Sequence, residues 1–450
     1  MKPLNNTTLN RTPRPITVLQ FGTILPALLA VPLADAAGWR VSMGVWTLMA
    51  VAAMLPWLGV LRIERQAGSA LARLHDQAVA TASADITTLI AETRGAPPTL
   101  CLLAAGAIGN GGWWGGMHAP VSPLVEGDTY SIRTGRNTPL SVGDRTLLLN
   151  SIVLPDNCTR EVAVRLLGRD GSDATVAGLT QHTTSRDSSL RTVAAYGLGL
   201  IEKATTVPTL IALAADDAVG PRANAIWALG RIGDGRATPA ALRAIDDRDA
   251  TVREAAAVAL GQLDSSAAIT ALIRHLRQDP SASVRRVSAW ALAQLEAKTA
   301  DGALGEALAN DKDAEVREMS AWAIGNLSIR QGNPALVTAA KSDADDRVRE
   351  TAVWAIAERG DAAAAGAVGD LLATEKNPAV RATAAWALGE LEPKTAPRGL
   401  ISALTDDDER VRMSAAWALS EIGDAAALPA LRTALSRPAT ERTRKAQIRA

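Results

Sequence analysis

A four-residue pattern recurs along the chain every 31 or 32 residues, and this period limits the fold more than any other feature. It reads "YGLG", "WALG" or "WAIG", and we call its first residue the anchor. The anchors are Tyr196, Trp227, Val258, Trp290, Trp322, Trp354, Trp386 and Trp417, with an earlier degenerate copy, "RLLG", at Arg165. Each unit has the pattern helix, acidic turn, helix. The sequence therefore predicts an all-α fold, an α-solenoid of about nine helical hairpins over residues 141–450.

An arginine stands five residues before each of the nine anchors. These arginines are Arg160, Arg191, Arg222, Arg253, Arg285, Arg317, Arg349, Arg381 and Arg412. Four residues earlier most units have a side chain suited to an N-cap, because its oxygen can accept from the free N–H groups of the second helix. The capping residues are Asp156, Asp187, Asp249, Asp313, Asp345 and Asp408, with Asn377 in the same place.

The unit resembles the HEAT repeat, in particular the short HEAT-like repeats of phycobilisome lyases, as in "DDRDATVREAAAVALGQL". The resemblance covers roughly Ser141–Pro438. It implies a right-handed solenoid with the second helices on the concave side, and a ladder of Asp–Arg contacts between repeats. The implied ladder residues are Asp249, Arg253, Asp313, Arg317, Asp345, Arg349, Asp408 and Arg412. Because such repeats bind many kinds of partner, the resemblance does not define a function.

The anchor lies opposite the apolar stripe of its helix when residues are placed 100° apart. Six anchors are tryptophans: Trp227, Trp290, Trp322, Trp354, Trp386 and Trp417. Carboxylates flank them in the last four repeats: Glu318, Glu350, Glu358, Glu390 and Glu421. This row suits a protein or peptide partner with basic or aromatic groups, since a cation–π contact contributes about 0.5–2 kcal/mol. In the alternative interpretation, each indole packs flat against the next repeat.

Two apolar segments precede the repeats, and Ile16–Ala34 and Val41–Leu61 contain no charged residue. Each is long enough to cross a membrane, which predicts a transmembrane hairpin in residues 1–65 with spans at about 16–36 and 41–61. Basic residues outside the pair place both outer ends in the cytoplasm. Residues 66–140 form a linker region with a third apolar segment at 99–117. If that segment spans, the repeats are extracytoplasmic; otherwise they are cytoplasmic.

The motif "GWR…W…PWL" in this hairpin resembles two spans of major facilitator transporters of the cyanate/nitroimidazole type. Members of that family have many more spans than this chain offers. The resemblance therefore implies a fusion or a borrowed anchor rather than transport.

Composition and motifs argue against several other functions. The formal net charge is zero, which disfavours a nucleic-acid binder. Two cysteines provide no disulfide framework or Cys-based zinc site. None of the four histidines has a neighbouring glutamate, so we nominate no catalytic residues, metal or cofactor. We expect a membrane-anchored scaffold without catalysis. The alternatives are a bilin-lyase-like protein or lyase chaperone, and a transporter-fragment fusion whose hairpin is a remnant anchor.

Overall fold

The computed structural model describes residues 82–96, 110–111, 132–133 and 139–436. Ser83–Leu435 forms one compact unit. In the described ranges no helix has both the length and the apolar character needed to cross a membrane. The spans expected at 16–36 and 41–61 lie outside these ranges, and so does 99–117 apart from Asn110–Gly111.

The described part of the chain contains nine consecutive helical hairpins. Their first helices are α2 (Val142–Ser151), α4 (Asp173–His182), α6 (Val207–Leu213), α8 (Thr238–Ala244), α10 (Ile269–Gln278), α12 (Asp301–Asn310), α14 (Pro334–Ser342), α16 (Ala365–Thr374) and α18 (Arg398–Ala403). Their second helices are α3 (Asn157–Leu167), α5 (Ser188–Ile201), α7 (Val219–Ile232), α9 (Ala250–Gln262), α11 (Ala282–Gln294), α13 (Ala314–Asn326), α15 (Asp346–Glu358), α17 (Pro378–Leu391) and α19 (Glu409–Ile422). A further first helix, α20 (Leu428–Ser436), follows them. The expected helical solenoid is confirmed for these residues.

Most second helices begin at a side-chain N-cap and are followed by a left-handed residue. The side chains of Asp156, Asp187, Asp249, Asp313, Asp345, Asn377 and Asp408 accept from first-turn N–H groups, as the sequence predicts. The residue six after the anchor is left-handed in seven repeats, and in three of them it is glycine. The repeat of Trp322 differs, because α13 ends at an extended Leu327 and the chain continues into a loop.

The seam between paired helices is made by small and branched apolar side chains. In α15 these are Val348, Ala352 and Ile356, all at most 1% exposed. They lie six and two residues before the anchor and two after it, so the predicted apolar stripe faces the first helix. Burying each Val or Ile side chain contributes about 1.5–3 kcal/mol. The same positions are buried in every repeat, although Thr159, Ser288 and Ser320 occupy three of them.

One more helix, α1 (Ala82–Thr93), lies in the region that we expected to be a linker. Its Ile86 and Ile90 are part of the continuous core, and the hydroxyls of Thr93 and Thr159 are 3.1 Å apart. Two short strands, β1 (Asn110–Gly111) and β2 (Ile132–Arg133), pair antiparallel. Cys158 at the start of α3 is disulfide-bonded, and the sequence has one other cysteine, Cys101.

A buried arginine braces the irregular repeat of Trp322. Arg359 follows α15 at a position where seven of the other eight repeats have Ile or Leu, and its side chain is 0% exposed. Its Nη1 donates to Asp301 Oδ1 at 2.8 Å and to the Ile324 carbonyl at 3.2 Å, and its Nε donates to the Gln331 carbonyl at 2.7 Å. The guanidinium thereby satisfies the Gln331 carbonyl in the loop after α13, and it is a second donor to the Ile324 carbonyl, which also accepts from the Leu327 N–H.

Candidate surface on the second helices

The arginine five residues before each anchor joins its repeat to the next one. Arg253 donates from Nε and Nη2 to the Asp279 carboxylate at 2.7 and 2.8 Å, and from Nη1 to the Asp247 carbonyl at 2.9 Å. The Asp247 carboxylate accepts from Arg222 of the preceding repeat. A carboxylate eleven residues before the anchor therefore links consecutive repeats. We call this series the ladder.

The ladder is nearly regular. Its bidentate pairs are Arg191–Asp216, Arg222–Asp247, Arg253–Asp279, Arg285–Asp311, Arg317–Asp343, Arg349–Glu375 and Arg381–Asp406. Arg160 instead pairs with the capping Asp187, and Arg412 donates to the carbonyls of Asp406 and Asp407. Bidentate geometry makes these contacts directional, so the ladder fixes how each second helix lies beside the next.

These pairs correct the ladder that the family resemblance implied. Four of its aspartates, Asp249, Asp313, Asp345 and Asp408, cap their own helices and accept no hydrogen bond from Arg253, Arg317, Arg349 or Arg412. The capping carboxylate points at the first-turn N–H groups of its own helix, whereas the carboxylate two residues earlier faces the preceding repeat. The missed signal is an acidic residue eleven positions before seven consecutive anchors, from Asp216 to Asp406.

Burial and hydrogen bonding act in opposite directions on the ladder carboxylates. Burial raises the pKa of Asp343, but the Arg317 guanidinium and the Asp345 N–H outweigh it and hold the pKa below 3.8. The same balance lowers the pKa of Asp279, to which His275 also contributes. These groups are therefore ionised at neutral pH and act as structural anions.

Four tryptophan rings lie against a glycine of the preceding repeat. A Cβ atom placed on Gly325 would be 2.8 Å from Cζ3 of Trp354, and the same holds at 2.4 Å for Gly389 and Trp417. The other pairs are Gly199–Trp227 and Gly261–Trp290. Trp322 and Trp386 follow repeats that have alanine at that position, Ala293 and Ala357. Packing between repeats thus accounts for one side of these indoles.

Exposure of the anchors divides the row into two halves. Tyr196 and Trp227 are 1% and 4% exposed, with ring centroids 5.6 Å apart, and Arg231 lies 5.3 Å over the Trp227 ring. Trp227, which we expected in a partner-binding row, therefore presents almost no surface. Later anchors are half-buried, and Trp417 is 38% exposed beside Met413 at 67%.

We call the anchor side of α13, α15, α17 and α19 the open half. It contains Trp322, Trp354, Trp386 and Trp417 together with Glu318, Glu350, Glu358, Glu390 and Glu421. Trp290, the remaining predicted residue, is half-buried on α11 between the two halves. Of the predicted set, the structure therefore brings four tryptophans and all five glutamates onto four adjacent helices.

The carboxylates of the open half have few cationic neighbours. Glu318 lies 3.7 Å from Arg347, and Glu350 accepts from the Thr383 hydroxyl at 3.1 Å. Within the described ranges, no Arg or Lys forms an ion pair with Glu350, Glu358, Glu390 or Glu421. Burial raises the pKa of Glu358, Glu390 raises it further, and a hydrogen bond with Trp354 opposes both. Burial also raises the pKa of Glu318, against the effect of Arg347.

Other features give no sign of a chemical site. Among the described residues, no three His, Cys, Asp or Glu side chains are placed to hold a metal ion. A groove of about 630 Å³ lies between α10 and α12, but five of its six charged lining residues are already paired. Asp279, Arg285 and Asp311 are paired in the ladder, and Arg277 is paired with Glu306. The open half is therefore the surface with the most unused binding capacity in the described array.

Comparison with known proteins identifies the repeat type. Residues 219–293, 302–377 and 367–450 match the family model of HEAT repeats. No curated protein matches the sequence.

Similar solved structures are also helical. The Escherichia coli YibA protein is 20% identical over 65% of this chain and 99% of its own, with a TM-score of 0.42. The CpcE–CpcF complex of phycocyanin lyase from Nostoc sp. PCC7120 is 22% identical over 55% and 94%, with a TM-score of 0.33. Importin beta is 13% identical over 62% and 45%, with a TM-score of 0.48. The family match supports HEAT-like repeats for the helical hairpins described within residues 219–293 and 302–436.

Proposed function

We propose that the repeat array is a non-catalytic scaffold that binds a protein or peptide partner on its open half. One observation carries the proposal: partly exposed tryptophans and carboxylates without cationic partners recur on four adjacent helices. Surface aromatic residues surrounded by polar groups are typical of protein interfaces. The ladder and the ring–glycine contacts supply a rigid support, so little conformational order has to be gained on binding.

The anchor side of α3, α5, α7 and α9, which we call the closed half, strengthens this assignment by contrast. Its anchors Arg165, Tyr196, Trp227 and Val258 are at most 8% exposed, although they occupy the same repeat position. Anchor exposure therefore does not follow simply from the repeat pattern. The anchor side chains that a partner could contact are therefore accessible only on the later repeats.

The experiment compares partner capture by matched variants of the full chain. Trp386→Ala with Trp417→Ala removes two rings of the open half, while Val142→Ala with Leu428→Ala removes exposed apolar side chains from first helices. Crosslinked partners are quantified by mass spectrometry. We expect the wild type and the Val142→Ala/Leu428→Ala variant to capture the same partners. The Trp386→Ala/Trp417→Ala variant should lose them. Equal capture by all three proteins contradicts the proposal.

We further propose that residues 16–36 and 41–61 anchor this scaffold in a membrane. The proposal rests on two long apolar segments with basic residues outside them. Alkaline carbonate extraction tests it: the chain is expected in the membrane pellet, and release into the supernatant contradicts the anchor.

We propose that 99–117 does not cross the membrane and that the repeats are cytoplasmic, as basic residues outside a simple hairpin predict. This proposal is supported by α1, which precedes 99–117 but packs with the repeats: Ile86 and Ile90 belong to their core, and the Thr93 and Thr159 hydroxyls are 3.1 Å apart. Protease added to sealed vesicles of known orientation tests it. Cleavage of the repeats only from the extracytoplasmic side would contradict the cytoplasmic arrangement.

A further inference from the structure

We infer that the open half binds an extended cationic segment of a partner polypeptide, with Arg or Lys at every third position. The inference rests on the proposed function and names the chemistry of its partner. It assigns the cation-binding groups to Glu350, Glu358 and Glu390, with the tryptophan rings beside them.

The charge balance of the open half supports a cationic occupant. Its acidic side chains are Glu315, Glu318, Glu350, Glu358, Glu390 and Glu421. Its two basic side chains are Arg347 and Arg410, which contact the capping Asp345 and Asp408 of their own helices. Glu315 is already paired with Arg286 of the preceding repeat. The remaining carboxylates leave a negative surface that a cation can neutralise.

The apolar groups on this surface fit the same occupant. Trp354 donates a hydrogen bond to Glu358, one helical turn away, so ring and carboxylate are held side by side. A guanidinium placed there contacts an aromatic face and an anion together. Met413 and Trp417, 67% and 38% exposed, extend the surface with groups that suit the aliphatic stems of Arg and Lys.

Repeat spacing determines how the charges of the segment must be distributed. Packed helices lie about 8–10 Å apart, so equivalent glutamates on α15 and α17 recur at about that distance. A polyproline II segment advances roughly 9 Å per turn of three residues. Side chains at every third position of such a segment therefore meet successive repeats. In a fully extended segment, residues on the same face recur at roughly 7 Å, which fits the spacing of the helices less well.

The test uses the purified full chain and fluorescein-labelled peptides at low ionic strength. The probe contains four Arg-Pro-Pro units, and its comparison peptide has the same composition with the four arginines adjacent. Fluorescence anisotropy is expected to show saturable binding of the periodic peptide, with the clustered peptide bound about tenfold more weakly because only part of its charge reaches a carboxylate. Equal binding of the two peptides overturns the assigned spacing.

Matched charge variants locate the site. Glu358→Gln with Glu390→Gln removes two negative charges from the open half without changing its shape, and is expected to weaken binding about tenfold. Glu306→Gln with Asp370→Asn removes the same charge from the first helices α12 and α16, and is expected to change affinity less than about twofold. Thermal melting of both variants checks that they fold. An equal loss in the two variants overturns the inference.

Failure of this inference is distinguishable from failure of the proposed function. If the periodic peptide does not bind, but Trp386→Ala with Trp417→Ala still loses a captured partner, the open half binds a partner of other chemistry. If neither effect occurs, both proposals are wrong. The open half could instead be occupied by a second copy of the chain. Analytical ultracentrifugation would then show a dimer that is lost in the Glu358→Gln/Glu390→Gln variant, and this result would also overturn the inference of a cationic segment.

Discussion

The ring edge of Trp354 covers Gly325 of the preceding repeat so closely that a Cβ atom on that glycine would lie 2.8 Å from Cζ3. The same atom would lie 2.9 Å from Cβ of Ala355. Glycine at this point thus allows both the indole and the neighbouring helix to approach. Trp354 therefore has a structural role on one side of its ring and is partly exposed on the other.

Gly325→Ala should destabilise the array by about 1–3 kcal/mol, because the added methyl overpacks the contact with Trp354 and Ala355. Gly366→Ala is the matched control, since a Cβ atom there would have no neighbour within 4 Å. We expect the control to be neutral or stabilising by up to about 1 kcal/mol, as alanine favours a helix. Urea unfolding measures both changes. A stabilising Gly325→Ala substitution would show that the indole is not held against the glycine.

Asp343→Asn should lower the free energy of unfolding by about 2–4 kcal/mol at neutral pH, since it leaves the largely buried Arg317 without its carboxylate. The folded pKa of Asp343 lies below its ordinary value, so the stabilisation is present above the unfolded pKa of about 3.9 and is lost as the pH falls through the lowered folded pKa.

The difference between wild type and Asp343→Asn should accordingly be constant at neutral pH and shrink in acid. Urea titrations from neutral pH down to about pH 2 measure it. Asp370→Asn, on the exposed side of α16, serves as the control and should change stability by less than about 0.5 kcal/mol. A difference that grows on acidification would be inconsistent with the ladder pair.

Arg359→Leu should destabilise the protein even though leucine or isoleucine occupies this position in other repeats. The substitution leaves the Gln331 carbonyl without the Arg359 donor, at a cost of about 1–3 kcal/mol. It also removes one of the two donors to the Ile324 carbonyl. In a double-mutant cycle with Asp301→Ala, we expect a coupling energy above about 1 kcal/mol, because the two charges compensate each other. Additive effects would mean that the buried pair does not form.

Binding of a cationic peptide should weaken on mild acidification before the bulk of the carboxylates titrate. Burial and Glu390 raise the pKa of Glu358, and burial raises that of Glu318, so both lose their charge at a higher pH than an exposed glutamate. Anisotropy titrations at stepped pH, with the Glu358→Gln/Glu390→Gln variant alongside, measure the effect. The variant should show a flatter pH profile, and identical profiles would exclude Glu358 as the titrating group.

The repeat architecture was predictable because its signals are local and periodic. Nine arginines in phase and the capping aspartates specify hairpins of one length, and both features appear where the pattern places them. The ladder partner was missed because a cap at Asp345 and an inter-repeat carboxylate at Asp343 look alike when only two residues separate them. Their roles differ by direction in space, which the residue types do not encode.

The exposure of the anchors could not be predicted from the repeat pattern either. Trp227 and Trp417 occupy the same repeat position, yet one is 4% and the other 38% exposed. The difference depends on what packs over each ring, which helical spacing does not specify. Arg359 is a similar case, since its ion pair is with Asp301 of the preceding repeat.

Site-directed photocrosslinking tests the central claim most directly. The periodic Arg-Pro-Pro peptide carries a photoreactive group, and mass spectrometry maps the crosslinked residues on the full chain. The account predicts crosslinks on the second helices α13, α15, α17 and α19, lost in Glu358→Gln/Glu390→Gln. Crosslinks concentrated on the first helices, or on α5 and α7 of the closed half, would contradict it.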